Sequence, residues 1–157
     1  VPQLLGFALL ALVPGLLWLW YFYRRDKAQP EPLAWVLGTF ALGVVAVFPA
    51  LIVEQLLQNF WQRTLPHGTQ LFFAANFFLN VAPVEEYLKF YVVFRFVYQH
   101  RPFNQPAHGL IYASAAALGF AAAENLIYMY QVGWQVIFLR GFLTSLAHVL
   151  FAAMWGI

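Results

Sequence analysis

The sequence predicts an all-α polytopic transmembrane helix bundle of at least five helices. Three observations predict it. Hydrophobic residues make up 63% of the 157 residues and charged ones only 9%, where soluble domains run at about 45–50% and about 25%. The mean hydropathy is +0.70. The apolar residues also gather into five stretches, each near or above the ~20 residues that a spanning helix needs, with four polar breaks between them.

The length suits a single transmembrane domain over 1–157. A net charge of +2 gives no basic surface for nucleic acid, and no nucleic-acid partner is expected. Cysteine is absent, which excludes disulfides, thiolate chemistry and a Cys-based zinc site. Membrane lipids are the expected surroundings, and the oligomeric state is left open.

The first stretch runs from about Leu4 to Tyr23, with a kink expected at Pro14-Gly15. It reads as a span and not as a signal peptide, because it is too long and basic residues follow it. Arg24 to Pro32 forms the first break. The second stretch, about Leu33 to Leu57, carries Pro49 and, near its outer end, Glu54, read as interfacial. The break Gln58 to Thr69 holds Arg63 and His67. The third stretch, about Gln70 to Tyr98, contains Asn76, Asn80, Pro83, Glu85, Glu86 and Lys89. After the break Gln99 to Pro106 comes the alanine- and glycine-rich fourth stretch, about His108 to Gln131. A short break at Val132 to Gln135 leads to the fifth, about Val136 to Ile157. Val1 and Ile157 both fall inside apolar runs, so further helices are expected beyond the C-terminal end.

Basic residues set orientation. Arg24, Arg25, Lys27, Arg95 and Arg101 flank the breaks after the first and third stretches, and Arg63 and Arg140 lie toward the other side. The positive-inside rule then puts Val1 outside and the turn at Gly133 outside. Trp61, Tyr130 and Trp134 fall at the outer interface, and Trp20, Tyr21, Tyr23, Trp35 and Tyr98 at the inner one, as an aromatic belt requires.

With this topology Glu85, Glu124 and His148 all fall roughly 10–22 Å below the outer surface at 1.5 Å per residue. An ionisable group at membrane depth costs several kcal/mol and marks a functional site by default. Glu85, Glu86 and Lys89 share one helix face, and Glu85 to Lys89 has the favourable i,i+4 order. Two adjacent carboxylates cannot both stay ionised in a low dielectric without a cation or a metal. A self-neutralising salt bridge is the plain structural alternative for this group.

Glu124 follows a stripe of small residues, Gly109, Ala113, Ala117 and Ala121, that lets neighbouring backbones come close. The alternative for Glu124 is protonated packing glue. Asn125 offers an amide to a developing oxyanion. His148 has Thr144 and Ser145 on the preceding turn. Asn76 and Asn80 face away from Glu85 and read as interhelical hydrogen bonders. His67, His100 and His108 read as solvated. Arg140 can pair with a carboxylate or a lipid phosphate. G-x-S-x-G and H-E-x-x-H are both absent.

Glu85-Glu86-Tyr87-Leu88-Lys89-Phe90 resembles the E-E-x-x-K-[FW] motif of the PrsW-type intramembrane proteases. Within Phe103 to Tyr128, Gly119-Phe120 followed by Glu124-Asn125 resembles their G-F-x-x-x-E-N motif. Arg140, His148 and Gly156 resemble their third motif, an arginine, a histidine and a glycine on one helix. The resemblance covers Val84 to Gly156, in order. It implies a multi-helix protease of a prokaryotic cytoplasmic membrane. Its substrates would be single-pass, membrane-anchored regulatory proteins such as anti-sigma factors, cut near the bilayer surface.

A more distant likeness joins it to the CAAX-prenyl protease and bacteriocin-processing superfamily. The chain departs from that group at Lys89, at Glu124 in place of a histidine, and at Ala152.

The first functional expectation is therefore an intramembrane endopeptidase whose site opens toward the outer leaflet. Glu85 activates water, Glu86 orients it, His148 gives a proton to the leaving amine, and Glu124 and Asn125 complete the site, with Lys89 and Arg140 in support. Zinc is the open cofactor question. Glu85, Glu124 and His148 can supply three ligands, in which case Glu86 becomes the base. Without a His-rich motif the reading leans to metal-free catalysis. A proton- or cation-coupled transporter or channel also uses buried carboxylates and histidine, and a non-catalytic membrane scaffold is the third class.

Overall fold

The computed structural model describes residues 2–25, 30–100 and 105–156. Among them all regular structure is helical. The first helix is Pro2–Tyr23 and the second Leu33–Thr64. The third is continuous over 70–98. The fourth is Pro106–Val132 and the fifth Val136–Ala153. The first, second, fourth and fifth are long and apolar enough to cross a membrane. The third is interrupted by Glu85, Glu86, Lys89 and Arg95. Lys27 and Arg101, on which the orientation partly rests, lie outside the described residues, as do Asp26 and Phe103.

The fourth helix is the axis of the bundle. Ala113, Ala115, Ala116, Ala117 and Leu118 are fully buried in it. Its small side chains let the second helix touch it backbone to backbone. A methyl on Gly43 would lie 2.2 Å from the carbonyl oxygen of Ala116, and one on Gly119 would lie 2.0 Å from that of Phe40. The expected stripe is in use as well. Ala113 and Ala117 pack with Ala152 of the fifth helix, and Gly156 faces Ala113.

The third and fifth helices lean on the same axis and carry widened turns. Thr69 caps the third by accepting from the amide of Phe72. Its π-helical turn, Phe77–Val81, comes just before Pro83. Proline has no amide hydrogen, and its ring crowds the carbonyl four residues back. A π turn absorbs that misfit, and such turns are frequent at functional sites. The fifth helix has one at Arg140–Thr144.

Three readings of the sequence change. The second helix runs on to Thr64, so Glu54 lies about ten residues, or about 15 Å, before its end. Glu54 meets the third helix there. The buried Asn80 donates to its carbonyl oxygen at 3.0 Å and to Asn76 Oδ1 at 3.0 Å, which makes Asn80 the interhelical bond expected of it. His108 is not solvated either. It is buried, with Nδ1 2.8 Å from Glu31, and Tyr112 donates to the same carboxylate at 2.6 Å. Burial of a linker carboxylate is tolerable only with such partners, and they tie the segment after the first helix to the fourth. The fifth helix ends at Ala153, short of the apolar run.

Candidate functional site

The third helix brings Glu85, Glu86 and Lys89 to one face just after its first π turn. The Lys89 side chain is 0% exposed. Its ammonium reaches Glu86 Oε1 at 2.8 Å, Glu85 Oε2 at 3.2 Å and His148 Nδ1 at 2.7 Å. It also lies over the Phe120 ring, 4.5 Å from its centre. Burying an ammonium costs several kcal/mol unless it is paired and hydrogen-bonded. Two carboxylates, an imidazole and a ring face meet that cost here.

His148 bridges the lysine and Glu124. A lysine ammonium has three donors and no acceptor, so Nδ1 of His148 accepts. Its Nε2 lies 2.9 Å from Glu124 Oε2 and donates to it. Glu85 Oε2 stands 3.8 Å from Nδ1.

Glu124 comes from the axial helix. Its Oε2 is 3.8 Å from Arg140 Nη2, and the Arg140 guanidinium stacks 3.6 Å from the centre of the Tyr128 ring. The π turn of the fifth helix carries Arg140 to this position. Glu86 is held at both ends: Lys89 takes Oε1, and Trp155 donates from Nε1 to Oε2 at 3.0 Å. Asn125 is set apart from this group. It is buried, and its Nδ2 donates to Ser145 Oγ at 3.3 Å, joining the fourth and fifth helices.

A cavity of about 530 Å³ lies over these groups. Glu85, Glu86, Glu124, Arg140 and His148 line it, and Asn125 does not. Phe77 and Phe78 of the third helix and Phe151 of the fifth form its apolar rim, exposed by 53%, 67% and 57%. The site is therefore polar at its floor and apolar at its mouth, between two helices that both rest on the fourth.

Glu85, Glu124 and His148 offer ligand atoms that all lie within 4.8 Å of one another. Two carboxylate oxygens and an imidazole nitrogen form a donor set that zinc accepts, so the residues fit a divalent ion in chemistry and spacing.

Sequence reasoning assigned no role to Trp155, Tyr128 or Phe120. A signal existed for each. Trp155 follows His148 by two helical turns, Tyr128 follows Glu124 by one, and Phe120 precedes Glu124 by one, so each shares a face with the site residue.

The family model described as PrsW family intramembrane metalloprotease matches residues 31–157. Among curated proteins the chain is similar to Protease PrsW of Geobacillus kaustophilus, 36% identical over 145 residues that cover 92% of this chain and 61% of that protein. Protease PrsW of Bacillus subtilis is 34% identical, with 92% and 63% covered. That of Shouchella clausii is 30% identical, with 98% and 68% covered. The chain thus spans 61% and 63% of the first two relatives' lengths. No solved structure matches it. The motif residues gathered at this cavity lie within the matched region, and the chain belongs to the PrsW family.

Proposed function

We propose that the chain is the catalytic bundle of an intramembrane endopeptidase with Glu85 as its general base. One observation carries the reading: two glutamates and a histidine from three helices converge on one cavity within the apolar bundle. Lys89 holds Glu85 by Oε2 alone. Among the described residues no hydrogen bond engages Oε1, which is left for a water.

Glu85 takes a proton from that water as its oxygen adds to the scissile carbonyl. The C–N bond then breaks, and the amine leaves with the proton that Glu85 had taken. This differs from the role read from the sequence for His148. The Nε2–H already points to Glu124 Oε2 at 2.9 Å. His148 instead keeps its Nε2–H on Glu124, and Arg140, the cation that lines the cavity beside Glu124, balances the charge growing on the carbonyl oxygen. Glu86, held by Lys89 and Trp155, is a positioning residue, and Asn125 holds the fourth and fifth helices together. Glu85, Glu124 and His148 are the residues that would hold a metal. When bound there, a divalent ion supplies polarisation of the carbonyl and a more acidic water.

The substrate class follows from the mouth. A polar floor behind a phenylalanine rim suits a peptide segment that arrives from the lipid, so the partner is a single-pass membrane protein; that it is of the anti-sigma-factor kind is what the family resemblance implies. We place the first helix's N-terminus outside and the site toward the outer face of a prokaryotic cytoplasmic membrane.

Purified protein reconstituted with such a substrate should cleave it, and Glu85→Gln should lower the rate by about 10²–10⁴-fold. Cleavage by Glu85→Gln at the normal rate would remove Glu85 as base. Ion flux without any proteolysis would favour a transporter.

A further inference from the structure

We infer that the end of the bundle where the second helix begins and the third ends binds one anionic phospholipid, with its phosphate on Arg95 and His100 and one acyl chain in a groove past Gly38. Its residues are separate from those of the cavity over Glu85 and Glu124. Lipid binding there stands whether or not the chain cleaves peptides.

The third helix closes on a second π turn, Phe94–Tyr98, which carries Arg95 and Phe96. Between this turn and the start of the second helix lies an open hollow of about 500 Å³. It is lined by Trp35, Tyr91, Arg95, Phe96 and His100. Arg95 is exposed and donates from Nη1 to Gln99 Oε1 at 2.8 Å. A guanidinium has five N–H donors, and among the described residues no carboxylate pairs with this one. Its planar fork matches two oxygens of a phosphate. His100 has at least one ring N–H in any protonation state, and its ring tilts against that of Trp35, 6.5 Å between centres. A cation and a second donor without an anion call for an anionic occupant. Aromatic rings around them suit the headgroup level of a bilayer, where basic pockets between helices take lipid headgroups.

A second depression, of about 250 Å³, continues from the first and shares Trp35 and Phe96 with it. Ala34, Gly38 and Leu42 line it, four residues apart on one face of the second helix. It therefore runs about 12 Å along that helix, where one leaflet of the hydrocarbon core is about 15 Å deep. Thr39 also lines it, but spends its hydroxyl on the Trp35 carbonyl at 2.8 Å. Gly38 keeps the groove open, since even a methyl there meets nothing within 4 Å. A hollow for an anion joined to an apolar groove of leaflet depth matches the two parts of an anionic phospholipid. A soluble phosphate would use the hollow alone, and a zwitterionic lipid would bring a second cation beside Arg95.

The test is native mass spectrometry of the full chain, delipidated in mild detergent. It is titrated with phosphatidylglycerol or with phosphatidylcholine of the same acyl chains, and the first bound lipid is read. The wild type should bind phosphatidylglycerol about tenfold tighter than phosphatidylcholine. Arg95→Gln should remove that preference. Gly38→Leu, whose side chain fills the groove, should weaken both lipids and leave their ratio unchanged. Arg24→Gln serves as control, because Arg24 is an exposed cation at the same end of the bundle, 5.3 Å over the Trp20 ring. It should change neither lipid.

Absence of a preference in the wild type would overturn the site, and that comparison needs no variant to fold. An equal loss in Arg24→Gln would reduce the effect to general surface charge and overturn it too. So would undiminished binding by Gly38→Leu, which would remove the acyl groove. Glycerol phosphate carries the headgroup phosphate and no tail, and at equal concentration it should fail to displace phosphatidylglycerol. Displacement would make the hollow a site for soluble anions and overturn the lipid.

Discussion

At the scale of the residue, every member of the three motifs has a distinct physical task. Glu85 and Glu86 meet Lys89, and Phe90 stacks edge-on to Trp155 at 5.7 Å. Gly119 permits the backbone contact with Phe40, and Phe120 covers the Lys89 ammonium. Glu124 receives His148, and Asn125 binds Ser145. Arg140 approaches Glu124, and Gly156 fits against Ala113. Trp155 stands outside the motifs, yet it donates one of the two bonds that hold Glu86. A hydrogen bond to a charged group contributes about 1.5–3 kcal/mol. Trp155→Phe keeps the ring and loses the donor. If Glu86 positions the water, cleavage by this variant should fall about tenfold or more, with the thermal midpoint nearly unchanged. An unaltered rate would show that the Trp155 bond has no part in positioning.

At the scale of the element, the decisive contact is the crossing of the second and fourth helices. Gly38 and Gly43 lie on the same helix, yet a methyl on Gly38 meets nothing within 4 Å, while one on Gly43 meets a carbonyl oxygen at 2.2 Å. Both are helical glycines, where alanine is intrinsically preferred by about 0.5–1 kcal/mol. Gly38→Ala should therefore hold or raise the thermal midpoint in detergent. Gly43→Ala must push two backbones apart, and overpacking of this kind costs about 1–3 kcal/mol or more. Gly119→Ala, at 2.0 Å from Phe40, should behave like Gly43→Ala. Parallel melting of the three variants checks this, and a neutral Gly43→Ala would mean the crossing is looser than described. The same crossing supports the site, since it holds the helix that carries Glu124 and Phe120.

At the scale of the whole molecule, the chain puts its polar chemistry at one level and its basic ends at another. With no cysteine in the sequence, single introduced thiols can map sidedness. With the N-terminus outside, Trp134→Cys should react with an impermeant maleimide in intact cells. Gln99→Cys should react only after permeabilisation. The reverse pattern would invert the orientation and move the cavity mouth toward the cytoplasm.

Composition and hydropathy alone determined that this is a helical membrane protein, because a bilayer admits few backbone solutions. The third stretch, 70–98, was read to the residue, since polar breaks bound it clearly. The end of the second helix was not, because Gln58, Asn59 and Gln62 are as compatible with a helix beyond the apolar layer as with a loop. Glu85, Glu86, Glu124, His148, Lys89 and Arg140 could be singled out by their cost in lipid, and equal depth suggested that they meet. Only the tertiary structure decided which atoms face which. The backbone contact at Gly43 and Gly119 sets how near the helices come, and the π turns at Phe77–Val81 and Arg140–Thr144 shift the register of the side chains beyond them. Those two effects put Lys89 on His148 and Trp155 on Glu86 and withdraw Asn125 to Ser145, and the return of the linker onto the fourth helix buries His108 against Glu31. None of them is a property of one helix, so spacing along the chain could not contain them.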